Sequence, residues 1–145
     1  MDWHYKNYQI SDNNSRLHHD VIYNFLIDAY WCKGIPRNIF DKSLKNSLCF
    51  GVYQHESQVG FCRVVTDYAT FAYLADLFIL PGHRNQGLAK ELVQCVLNHP
   101  DLQGFRRWLL GTKDAHELYK KFGFTPLKDP ELFMELHTPN LYINK

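Results

Sequence analysis

Leu77-Phe78-Ile79-Leu80-Pro81-Gly82-His83-Arg84-Asn85-Gln86-Gly87-Leu88-Ala89-Lys90 joins the end of one apolar run to the start of a different kind of run. Phe71 to Leu80 is nearly continuous in apolar residues, the pattern of a central strand covered on both faces. Pro81 and Gly82 end it. Leu88, Ala89, Leu92, Val93, Val96 and Leu97 then recur at three- and four-residue steps, which predicts a helix with one buried stripe, stopped by His99-Pro100. A strand that turns straight into a helix leaves the first helical N–H groups unpartnered at the positive end of the dipole. Such a turn attracts an anion, phosphate above all. Gly87 has no side chain to block close approach, Ala89 has little, and Arg84 and Lys90 add positive charge. Gly82 and Gly87 share the spacing of a nucleoside-triphosphate loop, G-x-x-x-x-G. However, Leu88-Ala89 stand where that loop needs Lys and then Ser or Thr, and no G-x-G-x-x-G supports a dinucleotide fold. A tight structural turn would also use Gly87, so the anion reading needs a second signal.

Outward from this stretch the periods alternate between two and near four. Trp3 to Ile10 predicts a first strand, followed by the turn cluster Ser11 to Ser15. Leu17, Val21, Ile22, Phe25, Leu26 and Ala29 predict a helix capped by Asn14 or Ser15, and Pro36 to Asn46 a second one with Pro in its first turn. Leu48 to Tyr53 and Val59 to Val65 read as a hairpin around Gln54 to Ser57. After the helix at Leu88, Trp108 to Gly111 reads as a short buried strand. Ala115, Leu118, Tyr119 and Phe122 form one face of a fourth helix closed by Gly123. Phe124 to Leu127 and Glu131 to Leu136, parted by Lys128-Asp129-Pro130, predict two last strands. No repeat or linker divides the chain, so the expectation is one domain over residues 1–145.

Composition narrows the function classes. The chain has 145 residues, 46% hydrophobic and 21% charged, with a net charge of +1. That is a globular balance, with Lys and Arg scattered among acidic residues, which argues against nucleic acid as partner. The first residues lack the features of a signal peptide and no run reaches bilayer length, so the expectation is a cytoplasmic protein without a membrane partner. Cys32, Cys49, Cys62 and Cys95 have no C-x-x-C spacing, and His18-His19 point apart on a helix; buried thiols and no metal are expected.

The second signal is Ala115-His116-Glu117-Leu118-Tyr119-Lys120-Lys121-Phe122-Gly123-Phe124, which has the pattern A-x-x-L-Y-x-K-x-G-F. Together with R-x-x-G-x-A at Arg84 to Ala89, after the strand end Ile79-Leu80-Pro81, it resembles the GNAT superfamily of acyl-CoA-dependent N-acetyltransferases. The resemblance implies a mixed α/β fold of α+β character, with a mostly antiparallel sheet of about six to seven strands flanked by four helices. It implies acetyl-CoA as acyl donor. The loop His83, Arg84, Asn85, Gln86, Gly87, Leu88, Ala89 and Lys90 would bind the pyrophosphate, and the backbone of Leu77, Phe78 and Ile79 would pair with the pantetheine arm. Tyr119 takes the position that meets the thioester sulfur. Thr112 stands where the family often has Asn, so that contact is a departure.

The chemistry asks for a neutral amine, hence a proton acceptor. Asp76, a lone carboxylate in an apolar strand, is the candidate base, since burial raises a carboxyl pKa. Strand alternation gives it the facing of Leu74 and Phe78, which leaves an outward orientation equally open. Tyr119 would donate to the departing thiolate, although tyrosine titrates near 10 and a thiol near 8.5, so a strengthening hydrogen bond suffices. Periodicity alone would make Tyr119 a core residue. Tyr30, Trp31 and Tyr73 form either an aromatic cage for a cationic or aromatic amine or ordinary rim packing. The expected activity is transfer of an acetyl group to a primary amine of a small molecule or peptide, by direct attack in a ternary complex. A non-catalytic CoA-binding module is the alternative. The late strands leave room for a homodimer without demanding one.

Overall fold

A computed structural model describes residues 1–143. Six strands form one sheet in sequence order: β1 (Asp2–Tyr5), β2 (Tyr8–Ser11), β3 (Leu48–Gln54), β4 (Ser57–Thr66), β5 (Phe71–Ile79) and β6 (Arg107–Leu110). All neighbours are antiparallel except β5 and β6, which are parallel. Four helices flank it: α1 (His19–Leu26), α2 (Arg37–Lys45), α3 (Leu88–Leu97) and α4 (His116–Lys120). This is the mixed, mostly antiparallel α/β architecture expected.

Each face of the sheet has its own core. Ile22, Leu26, Phe40 and Leu44 from α1 and α2 pack with Cys49, Phe61 and Phe78 on one side. On the other side Leu88, Leu92, Val93 and Val96 of α3 cover Ile10, Phe50, Val52, Cys62, Val64, Ala72 and Leu74. From Cys49 to Val52 and from Phe61 to Val64, successive residues of β3 and β4 face opposite clusters, as the period of two requires.

β5 breaks that arithmetic. Cys62 lies opposite two residues, Asp76 and Leu77, between the pairs Arg63–Ala75 and Phe61–Phe78. Asp76 has φ of 57°, so the extra residue is taken up in the left-handed region. The facing therefore changes phase: Leu74 belongs to the α3 cluster and Phe78, four residues on, to the α1/α2 cluster. Asp76 keeps the facing of Phe78 and loses that of Leu74, contrary to simple alternation. β5 is also not covered on both faces throughout, because Tyr73 is 36% exposed.

Other boundaries differ from the sequence expectation for local reasons. The first strand is a hairpin, turned at Lys6-Asn7 with Lys6 at φ of 54°. Asn13 accepts the N–H of Ser15 and caps a single 3-10 turn at Asn14–Arg16, so α1 starts only at His19 and ends before Ala29. β6 is half-buried at the sheet edge. The two late strands do not form: Pro130–Leu132 is a 3-10 turn, and Phe124 to Leu127 and Phe133 to Leu136 pair with nothing among the described residues. Pro126 and Pro130 each lack the N–H a ladder needs. The four cysteines are free thiols; Cys49, Cys62 and Cys95 are buried as expected, whereas Cys32 is only half-buried.

The turn from β4 to β5 depends on Asp67, whose carboxylate accepts the amides of Thr70, Ala69 and Phe71 and the Thr70 hydroxyl. The Thr70 amide above all, with these other bonds, holds its pKa far below the ordinary carboxylate value. A depressed folded-state pKa contributes stability above the unfolded pKa that is lost as pH falls toward the folded one. Asp67→Asn should therefore lower the thermal midpoint at neutral pH. The gap to wild type should narrow as pH falls below about 4, which melting curves from pH 7 to 2 would read.

Candidate active site

β5 and β6 pair only as far as Leu74 and Leu110. β5 runs on to Ile79, so one edge of Ala75–Ile79 has no ladder partner among the described residues. A cleft of about 1060 Å³ opens there, at the carboxyl ends of the parallel pair, where open α/β sheets place ligand sites. The expected loop and the expected aromatic residues line the same cleft, on opposite sides of β5. Its lining includes Tyr30, Trp31, Tyr73, Asp76, Leu77, Phe78, Ile79, His83, Arg84, Asn85, Gly87, Leu88, Ala89, Lys90, Thr112 and Tyr119. Gln86 turns away, toward the N-terminal hairpin.

The loop has a built geometry. Pro81–His83 is a 3-10 turn, and Asn85 and Gly87 take φ of 64° and 83°. The α3 ladder begins with the Glu91 N–H to the Gly87 C=O at 3.0 Å, so the amides of Leu88, Ala89 and Lys90 have no helical carbonyl to meet. Leu88 offers only its backbone, its side chain being buried in the α3 core. Arg84 is partly committed, since its Nε donates to the Ile79 C=O at 2.8 Å.

Behind the loop stands the hairpin of β1 and β2, which no sequence signal linked to it. Tyr5 Oη donates to the Gln86 C=O at 2.9 Å, and Lys6 Nζ reaches the same oxygen at 3.3 Å. Tyr8 Oη lies 2.9 Å from His83 Nδ1 and donates to Gln86 Oε1 at 3.4 Å. Gly87 suits the loop by its φ, and a Cβ there would stand 2.7 Å from Tyr5 Oη, displacing the end of that side chain from the Gln86 C=O.

On the other side, the Asp76 carboxylate joins two further residues. One oxygen accepts from Trp31 Nε1 at 2.7 Å and the other from Arg63 Nε. Asp76 and Arg63 are largely buried, at 8% and 20% side-chain exposure. Removing one partner would strand a charge, a cost on the order of 3–5 kcal/mol. Arg63, a lone cation in the apolar stretch Val59 to Val65, was the readable half of this pair and was missed. Tyr30 and Trp31 meet edge to face at 5.0 Å and, with Tyr73, are exposed on the rim. Lys113 Nζ already sits 5.2 Å from the Tyr30 ring centre. Phe25 stacks on Phe78 at 4.0 Å and closes the floor.

Tyr119 is 8% exposed, and burial pushes its hydroxyl up to about 12. It is both a core residue and a cleft residue, so the two sequence readings of it are compatible. Thr112 Oγ1 accepts the Ala115 N–H at 3.1 Å, which starts the α4 turn and leaves its hydroxyl hydrogen free to donate. Cys32 also lines the cleft, and burial pushes its thiol up to about 12. No three His, Cys, Asp or Glu side chains come together as a metal site among the described residues.

The fold agrees with the comparisons to known proteins. The family model described as Acetyltransferase (GNAT) family matches residues 8–124, and the chain belongs to that family. A protein of Gibberella zeae, provisionally named an acetyltransferase, is 32% identical over 144 residues, covering 83% of this chain and 80% of that one. A crystal structure from Xanthomonas campestris pv. campestris, assigned provisionally to the same family, superposes with a TM-score of 0.93 at 46% identity, over 95% of this chain and 98% of that one. A Clostridium acetobutylicum protein solved with acetyl-CoA shares the fold, at TM-score 0.60 and 16% identity, over 90% of this chain and 95% of that one. The chain is a GNAT-family acetyltransferase.

If the hairpin holds the loop, Tyr5→Phe combined with Tyr8→Phe should speed exchange of the His83 amide, whose N–H meets the Leu80 C=O at 2.9 Å, by roughly three- to tenfold, the worth of one or two hydrogen bonds. Exchange in β3 and β4 should not change. Equal loop exchange in the variant would show that the hairpin is only a neighbour.

Proposed function

We propose that this chain is a cytoplasmic, single-domain N-acetyltransferase that transfers an acetyl group from acetyl-CoA to a primary amine of a small molecule or peptide. The observation that carries the reading is the joint lining of one cleft by the α3 amides, the open edge of β5 and Tyr119. In this reading the amides of Leu88, Ala89 and Lys90, with His83 to Gly87 and the charge of Arg84 and Lys90, hold the pyrophosphate. Leu77 to Ile79 offer backbone groups to the pantetheine amides, in the manner of an added strand. Thr112 donates its hydroxyl to the same arm. When bound, acetyl-CoA supplies the acetyl group as a thioester open to attack by a neutral amine.

The residues around the cleft favour direct attack. Cys32 carries its proton at any physiological pH and makes a poor nucleophile, which speaks against an acetylated cysteine intermediate. Tyr119 is likewise neutral, and its Oη–H can donate to the sulfur as charge develops there. With a pKa about three units above a thiol, it stabilises that charge by hydrogen bonding and does not give up its proton. An N–H of Phe78 or Ile79 on the open edge serves the developing oxyanion. The proton of the amine leaves by water; Asp76, engaged by the buried Arg63 and by Trp31, accepts hydrogen bonds from that water on the second lone pair of each oxygen and so orients the relay. Trp31 is thereby fixed, and with Tyr30 and Tyr73 it presents aromatic surface to the acceptor.

The test is release of CoA thiol from acetyl-CoA across a panel of amines, with thermal shift by CoA beside it. Turnover with at least one amine is expected. Stabilisation by CoA without turnover on any amine would mark a non-catalytic binding module, and no response to CoA would end both readings. Gly87→Glu should abolish CoA binding, because bulk and negative charge enter the loop at a left-handed position; unchanged affinity would refute the assignment. Tyr119→Phe, which removes a hydrogen-bond donor to the developing charge, should lower kcat by about 10²-fold while changing CoA affinity little. An unchanged kcat would leave Tyr119 a packing residue alone.

A further inference from the structure

Lys113 brings a primary amine of the chain itself to the mouth of the cleft. It lies in the loop between β6 and α4, between Thr112 and Asp114, which both line the cleft. Thr112 Oγ1 accepts the Ala115 N–H and fixes that loop on the side proposed for the pantetheine arm. The Lys113 side chain is exposed and reaches across the opening to the other wall. There its Nζ sits 5.2 Å from the centre of the Tyr30 ring, in the turn between α1 and α2.

From that ring the contacts lead inward. Tyr30 meets Trp31 edge to face at 5.0 Å, and Trp31 Nε1 donates to Asp76 at 2.7 Å, at the bulge just before Phe78 and Ile79. The amine therefore rests on the aromatic rim proposed for the acceptor, at one end of a path whose other end is the carboxylate that orients the water. A cation–π contact at an exposed site is weak and the lysine stem is flexible, so the side chain leaves the ring readily and turns inward. Other lysines near the cleft are placed differently. Lys90 stands in the first turn of α3, beside the amides set against phosphate, and Lys121 closes α4. Lys6 Nζ is held by the Gln86 C=O behind the loop.

We propose that Lys113 is a self-acetylation site, modified from acetyl-CoA bound in the cleft of its own chain. The inference rests on the acetyl transfer proposed above. The Lys113 ammonium gives one proton to the water at Asp76, and the freed electron pair of Nζ forms a bond to the acetyl carbon. As that bond forms, the C–S bond of the thioester breaks and its electron pair goes to sulfur, where Tyr119 donates its hydrogen bond. A second proton passes from Nζ to the sulfur through water. The products are a neutral amide on Lys113, free CoA thiol and one proton. An amide nitrogen is no longer a nucleophile, so the reaction ends at one acetyl group per chain. Without its charge the side chain also loses its attraction to the Tyr30 ring.

Incubation of the full chain with acetyl-CoA labelled in its acetyl group should add one acetyl group per chain, located on Lys113 by peptide mass analysis. The initial rate per chain should not depend on protein concentration and should exceed that of the urea-unfolded chain by roughly tenfold or more, as a positioned amine requires. Label spread over other lysines, or a rate equal to that of the unfolded chain, would overturn the proposal. Lys113→Arg should keep the thermal shift by CoA and lose the label; one label per chain persisting in this variant would overturn it as well. Mixed with wild type, a Gly87→Glu chain should stay unlabelled, and intact mass tells the two apart. Labelling of that chain as fast as the wild type would show transfer between chains and overturn the self-acetylation. An unlabelled Lys113 in a chain that CoA stabilises and that acetylates an outside amine would overturn this proposal alone. A chain without any response to CoA would overturn the proposed function with it.

Discussion

A single left-handed residue in the middle of β5 organises this molecule. Asp76 at φ of 57° inserts one extra position opposite Cys62, and every residue after it faces the other way from what alternation would give. Phe78 is thereby delivered to the α1/α2 side, where Phe25 stacks on it, and Ile79 to the α3 side. Bulges bend a strand and increase its twist. Here the strand continues past the bulge without β6 beside it, and the cleft occupies the space between. A left-handed aspartate is costly, and the structure holds it by engaging both carboxylate oxygens, with the buried Arg63 and with Trp31. The ion pair, the cleft wall and the orientation of the rim indole are thus one construction.

The loop after β5 is held in a similar way from far along the chain. Two left-handed residues, Asn85 and Gly87, shape it, and the tyrosines of the first hairpin support it from behind. The turn is therefore not a local motif that could form alone. Its backbone is satisfied only when β1 and β2 have joined the sheet beside β3, which ties the site to the outermost strands. Preorganisation of this kind removes the ordering cost that a free loop would add to binding.

In the reading proposed for the site, burial has the same effect on two groups that might otherwise ionise. Tyr119 and Cys32 are both pushed up to about 12, so the cleft presents a neutral phenol and a neutral thiol. A neutral phenol is a donor suited to charge that develops during a reaction, and a neutral thiol does not compete with the amine as nucleophile. The electrostatic work falls to backbone amides and to the arginine and lysine of the loop.

The sequence by itself was enough for the class of fold, the order of most elements, the Pro-Gly stop after β5 and the loop, because these depend on local period, turn chemistry and motifs over a few residues. That Tyr119 and the loop would share one cleft was implied only by the family resemblance, since periodicity alone makes Tyr119 a core residue. What it left open was decided by pairing between distant segments. Alternation cannot reveal a bulge, so the facing of Asp76 stayed ambiguous until Arg63 and Trp31 were beside it. Tyr5 and Tyr8 carry no signal of the loop they hold, some 75 to 81 residues away. The last two strands had the right pattern and did not form, because a strand exists only when another edge accepts it, and period alone does not supply that edge.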